Sequence, residues 1–234
     1  MKNHNLISLN FNLEKRKYLL LLVLLISIIV MRLLYIRNTD IGTLYAVQNS
    51  VSVDVLFMIL SPFCLWMNQV LYFQNREVAV VRIKNKYELW KINVTVIFCN
   101  AFLIAIISNI LSFGTSVMNG EINSQIIQVY IYSFILFWLG LIFLGGLQYI
   151  LLVLTEHKTI AFFVVFLVFF FDSSTIKLQV MTNLFIVNSN DFIDLFSFFG
   201  RVLCLLSGLI ILFWISWFFT EKKDMFRTSE KKVR

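Results

Sequence analysis

Residues 127–154 read IQVYIYSFILFWLGLIFLGGLQYILLVL, without a single charged side chain. At 1.5 Å per residue such a run makes about 40 Å of helix, more than the roughly 30 Å of a bilayer's hydrocarbon core. Four further runs are long enough to cross: 18–36, 53–73, 92–113 and 198–219. A sixth, 160–171, is apolar but would make only about 18 Å of helix. Together these runs take up most of the 234 residues, leaving no room for a soluble domain. The composition agrees: 59% hydrophobic, 14% charged, 25 Phe and a mean hydropathy of +0.84, outside the range of soluble domains. The expectation is an all-α integral membrane protein, one transmembrane domain over 1–234. The run 18–36 exceeds the h-region of a signal peptide and is followed by MRLLYIRNTD, without a small-residue cleavage site, so it is expected to be retained as a span.

The cations set the orientation. With six spans, sixteen Lys and Arg fall on one side and four (Arg32, Arg37, Lys177 and Arg201) on the other. Lys and Arg in short loops face the cytoplasm, so six transmembrane helices with both termini cytoplasmic are expected. Five would put the basic tail, 220–234, outside. This asymmetry accounts for the net charge of +7 and the pI near 9.4 without nucleic acid as a partner.

Between the spans, 1–17 combines Leu6, Ile7, Leu9, Phe11 and Leu13 with a basic cluster, the makings of a short interfacial helix against membrane lipid. Pro62, the only proline, is expected to kink the second span. The loop 114–125 is polar and turn-forming. Segment 172–197 is half apolar and half polar, which suits short re-entrant or interfacial outer helices between spans five and six. NSND at 188–191 can cap the last helix.

Catalytic signatures are missing. There is no GxxxxGK[ST] and no HExxH. His4 and His157 lie near the cytoplasmic surface without a matching ligand, Ser207 has no histidine within a span to activate it, and Cys64, Cys99 and Cys204 sit in apolar runs without metal or disulfide spacing. No metal or cofactor is expected on this chain, and no enzymatic activity.

The polar residues inside the spans leave alternatives open. Asn68, Gln69, Asn100 and Gln148 sit at similar depths, roughly 6–12 Å from the cytoplasmic end. They form either a polar layer lining a transport path or a set of interhelical hydrogen bonds. Gly200, Cys204 and Gly208 make a small-residue stripe on one face of the last helix, for packing within the chain or against a second subunit. Arg32 either pairs with Asp54 or snorkels to the interface.

Residues 75–91, NREVAVVRIKNKYELWK, carry seven charges between two spans. Val80, Ile83, Tyr87 and Trp90 share a helical face, so a short helix over 76–84, a turn at Asn85 and entry into span three at Trp90 are expected. Fixing topology needs only the cations. The interleaved Val and Ile point to a docking surface for a soluble partner.

This order of elements resembles the small permease subunits of ABC-2 type exporters, such as those of low-GC Gram-positive bacteria. The 74–91 segment is similar to that family's coupling helix in Glu77, Val80, Val81, Arg82, Lys86, Trp90 and Lys91. The resemblance implies that a separate ABC ATPase, with ATP and Mg on that subunit, docks on Arg76, Glu77, Val80, Val81, Arg82, Lys84 and Lys86. It further implies a second permease chain (as a homo- or heterodimer), amphipathic or antimicrobial peptides as cargo and a multi-pass place in the bacterial cell membrane. A stand-alone membrane immunity or scaffold protein is the competing class. The binding subunit of a vitamin importer is disfavoured by the scarcity of Ala and Gly and the lack of binding charges within the spans.

Overall fold

The computed structural model describes residues 3–38, 59–72, 85–118, 124–174, 180–185 and 195–222. Every described element is helical: α1 (Asn3–Asn38), α2 (Ser61–Leu71), α3 (Lys86–Met118), α4 (Ser124–Thr155), α5 (Lys158–Ser174), the short α6 (Val180–Phe185) and α7 (Leu195–Lys222). Three of them hold stretches long and apolar enough to cross a membrane, Lys86–Leu111, Ile127–Thr155 and Leu195–Lys222. The chain is therefore a multi-pass membrane protein with an all-α fold.

α4 is the hub. It packs against α2, α3, α5, α6 and α7, and 67% of its most apolar stretch is buried, against 22% for α7. In lipid, association gains little from the hydrophobic effect, so close packing and hydrogen bonds must hold helices together. α4 supplies close packing through three glycines. A Cβ at Gly140 would lie 2.8 Å from the Phe185 ring of α6. At Gly145 it would lie 2.7 Å from Ile97 Cγ2 of α3, and at Gly146 2.2 Å from Leu212 Cδ2 of α7. Each glycine thus admits a different neighbour. The outward faces remain apolar, with Leu20 and Val23 on α1, Phe163 and Leu167 on α5, and Ile210 and Trp214 on α7, as lipid contact requires.

Local signals set the boundaries. α3 starts where Asn85 Oδ1 accepts from Tyr87 N at 3.0 Å and Asn85 O accepts from Glu88 N at 3.1 Å, an Asn cap with an acid in the first turn. α4 ends at Glu156, which takes a left-handed φ of 61°, a conformation that closes a helix but usually falls to glycine. Its N–H donates to Leu152 O at 3.0 Å. Two residues, Glu156 and His157, suffice to turn the chain into α5, so α4 and α5 pack as an antiparallel hairpin.

Several elements differ from the sequence expectation. α1 is one uninterrupted helix of 36 residues, where a separate interfacial helix over 1–17 was expected. No Gly or Pro interrupts residues 3–38 and LEKRK is helix-favouring, so nothing stops the helix before the apolar run. Glu14 and Lys17 pair across one turn at 3.1 Å. Pro62 stands in the first turn of α2, just after a π-helical turn at Ile59 and Leu60, and the part of the span in which its expected kink would show lies outside the described residues. In that first turn its missing N–H is tolerated. α5 is longer than the run 160–171, because Lys158 and Thr159 before it and Asp172–Ser174 after it continue the helix. It has 17 residues, about 26 Å, still short of the hydrocarbon core.

Within 172–197, α6 folds back onto α4 and α5. Val180 N donates to Asp172 Oδ1 at 3.0 Å. Phe185 is buried, its ring 5.8 Å from that of Phe169 and 6.4 Å from that of Phe143. The expected cap at 188–191 and the tail beyond 222 lie outside the described residues, as do Asp54 and the side chain of Arg32.

Candidate functional site

The deepest polar groups converge where α1 to α4 meet. Tyr18 OH of α1 donates to Asn100 Oδ1 of α3 at 2.8 Å, and Asn100 Nδ2 donates to Asn68 Oδ1 of α2 at 2.9 Å. One chain of hydrogen bonds therefore joins three helices. A second joins α2 to α4: Gln148 Nε2 donates to Leu65 O at 2.9 Å. Tyr72 OH donates to Gly145 O at 3.2 Å and lies 3.4 Å from Gln148 Oε1. The Tyr72 ring tilts over Tyr149 at 5.8 Å, and Tyr149 OH shares a 3.2 Å hydrogen bond with Thr220 Oγ1 of α7.

Of the four amides in the expected layer, the structure joins Asn68 to Asn100 and bonds Gln148 to Leu65 O and Tyr72, each of the three amides 0–1% exposed. Gln69 points elsewhere. Its Nε2 donates to Lys158 O at 2.7 Å, and Lys158 Nζ donates back to Gln69 O at 3.3 Å. Adjacent residues on a helix point about 100° apart, so Asn68 faces the bundle and Gln69 faces α5. Asn68 Nδ2 has no hydrogen-bond partner and faces Gly145, where a Cβ would come within 2.9 Å of it.

Two members of this layer escaped sequence reasoning, Tyr18 and Tyr72. Tyrosine at the end of an apolar run reads as an interface anchor. The usable signal was the i, i+4 spacing of Asn68 and Tyr72, which puts both on one face. Nothing in the sequence pointed Tyr18 at Asn100.

Amides, phenols and carbonyls form no acid–base pair, so this layer ties helices rather than moves protons. Its worth follows from what is left unpaired. Asn100→Leu removes the acceptor of the Tyr18 hydroxyl bond and the donor to Asn68 Oδ1, and is expected to cost about 1–3 kcal/mol. Tyr18→Phe strands only Asn100 Oδ1 and should cost about 1 kcal/mol. Thermal melts of the detergent-solubilised chain would rank the two, and equal losses would contradict the shared chain of bonds.

The residues expected for docking are mostly beyond view: Arg76, Glu77, Val80, Val81, Arg82 and Lys84 lie outside the described residues. Lys86 is placed, and its Nζ donates to Glu221 O at the end of α7 at 2.6 Å. Trp90 and Lys91 follow on α3, with Trp90 half-buried and Lys91 exposed. On α7 the stripe divides. Gly200 would meet nothing if given a Cβ, and Cys204 is exposed, whereas a Cβ at Gly208 would lie 3.3 Å from Phe143 of α4.

Elsewhere, Cys64 is buried and Cys99 exposed, both as free thiols. Ser207 Oγ donates to Cys204 O at 2.9 Å, and His157 is exposed in the α4–α5 turn. Among the described residues no three His, Cys, Asp or Glu side chains gather as a metal site would require. Compared with protein-family models, curated proteins and solved structures, the chain matches none of them.

Proposed function

We propose that this chain is the membrane permease subunit of an ATP-driven exporter of the ABC-2 type. In that role it has six spans with both termini in the cytoplasm of a bacterial cell. The observation that carries the reading is the charge-dense stretch 75–91, set between two apolar runs on the side that gathers sixteen of the twenty cations. The chain has no P-loop of its own, so ATP and Mg sit on a separate soluble ATPase that docks on residues 76–86. α7 supports a second permease chain, homo- or heteromeric. It is the least packed of the three long apolar helices, and it turns Gly200 and Cys204 outward. The cargo is an amphipathic or antimicrobial peptide, as the resemblance to that exporter family implies.

The test is co-purification. A Walker-containing ATPase encoded beside this chain should be retained on the tagged chain extracted in mild detergent, and should hydrolyse ATP there. Its consistent absence would retire the exporter. One observation favours a second reading, the stand-alone immunity or scaffold protein. Asn68, Asn100 and Gln148 are spent on helix–helix bonds rather than turned toward a path. In that case a toxin would bind the chain with no ATPase present.

A further inference from the structure

The two chain ends joined by residues 73–84 are bonded to different helices. On one side, the end of α2 is held by the start of α5 through the reciprocal Gln69 and Lys158 hydrogen bonds, 2.7 and 3.3 Å. On the other, the first turn of α3 is held by the last turns of α7. Lys86 Nζ donates to Glu221 O at 2.6 Å. One turn further on, Trp90 Nε1 donates to Ser216 Oγ at 2.8 Å, and that hydroxyl donates to Phe213 O, also at 2.8 Å. The rings of Tyr87, Trp90 and Trp217 close around this point with centroids 5.4–5.8 Å apart.

The chemistry suits a rigid joint. The last carbonyls of a helix lack intrahelical donors and carry the negative end of its dipole. An ammonium on Glu221 O therefore meets both needs, and the indole bond with the ring cluster fixes the angle between the two helices.

We propose that Lys86 and Trp90 are positioning residues that join the first turn of α3 and the last turns of α7 into one mechanical unit, whereas Gln69 and Lys158 join the end of α2 to the start of α5. A displacement entering the chain at Lys86 is passed to α7, and one entering at Gln69 is passed to α5. The use of such a joint, to convert work done on the preceding segment into movement of α7, rests on the permease reading. The joint itself does not.

Hydrogen exchange of the full chain in lipid nanodiscs tests it. Lys86→Met and Trp90→Phe should each speed exchange of the 213–222 amides about tenfold while leaving 158–165 unchanged. Gln69→Ala should do the reverse. Lys86→Arg, which keeps a donor, should restore the wild-type rate at 213–222, a rescue that a general loss of stability would not give. Wild-type exchange at 213–222 in both Lys86→Met and Trp90→Phe, or acceleration at both places in either, would overturn the proposal. If the divided pattern appears while no ATPase co-purifies with the wild-type chain, the joint stands and the permease reading falls.

Discussion

Gly145→Ala should weaken the helix bundle more than Gly146→Ala, although the new methyl at 146 lands closer to its neighbour. At 146 the intruded atom is Leu212 Cδ2, at 2.2 Å, the far end of a side chain that can rotate away. At 145 the methyl meets Ile97 Cγ2 at 2.7 Å and Asn68 Nδ2 at 2.9 Å. Ile97 is β-branched and nearly fixed in χ1 on a helix. Asn68 is fully buried and pinned through Asn100. Neither can yield, so α4 must part from α2 and α3, straining the Tyr72 bond to Gly145 O. The expected loss is about 1–3 kcal/mol for Gly145→Ala. It should stay below about 1 kcal/mol for Gly146→Ala, because helix propensity favours alanine equally at both sites. Thermal unfolding of the two variants in one detergent measures the difference, and the opposite order would show that α7 rather than α2 and α3 sets the packing limit.

The second large effect concerns the partner. If the chain is the proposed permease, reversing Arg82 and Lys84 to Glu should abolish co-purification of the proposed ATPase, at least about a hundredfold in apparent affinity, since each like-charge contact costs several kcal/mol. The amount of chain in the membrane should not change. Arg76, Lys86 and Lys91 remain to hold the orientation, and the substitutions touch no span. A complex that survives the double reversal would show that the ATPase docks elsewhere.

What was legible in the sequence follows from the range of each signal. The runs 92–113, 127–154 and 198–219 fall within α3, α4 and α7 because the length of an uncharged stretch is decided without knowing its neighbours. The start of α3 just after Asn85 was legible for the same reason, a cap being local. The continuity of α1 needed only a check for breakers, since residues 3–38 contain no Gly or Pro. Partners were not legible. An amide in a span announces that it needs a hydrogen bond, but whether Gln69 finds Asn100 or Lys158 depends on how α2 is rotated. A glycine announces close approach without naming Phe185, Ile97 or Leu212. Nor did the sequence show that Lys86 would reach the Glu221 carbonyl of α7, 135 residues away.

A permease of this kind must hold residues 75–91 in the cytoplasm. With Cys64, Cys99 and Cys204 replaced by Ala, a single cysteine at Lys84→Cys can be probed with a membrane-impermeant maleimide. The orientation described here predicts no labelling in intact cells and full labelling after permeabilisation. Labelling of intact cells from outside would contradict it.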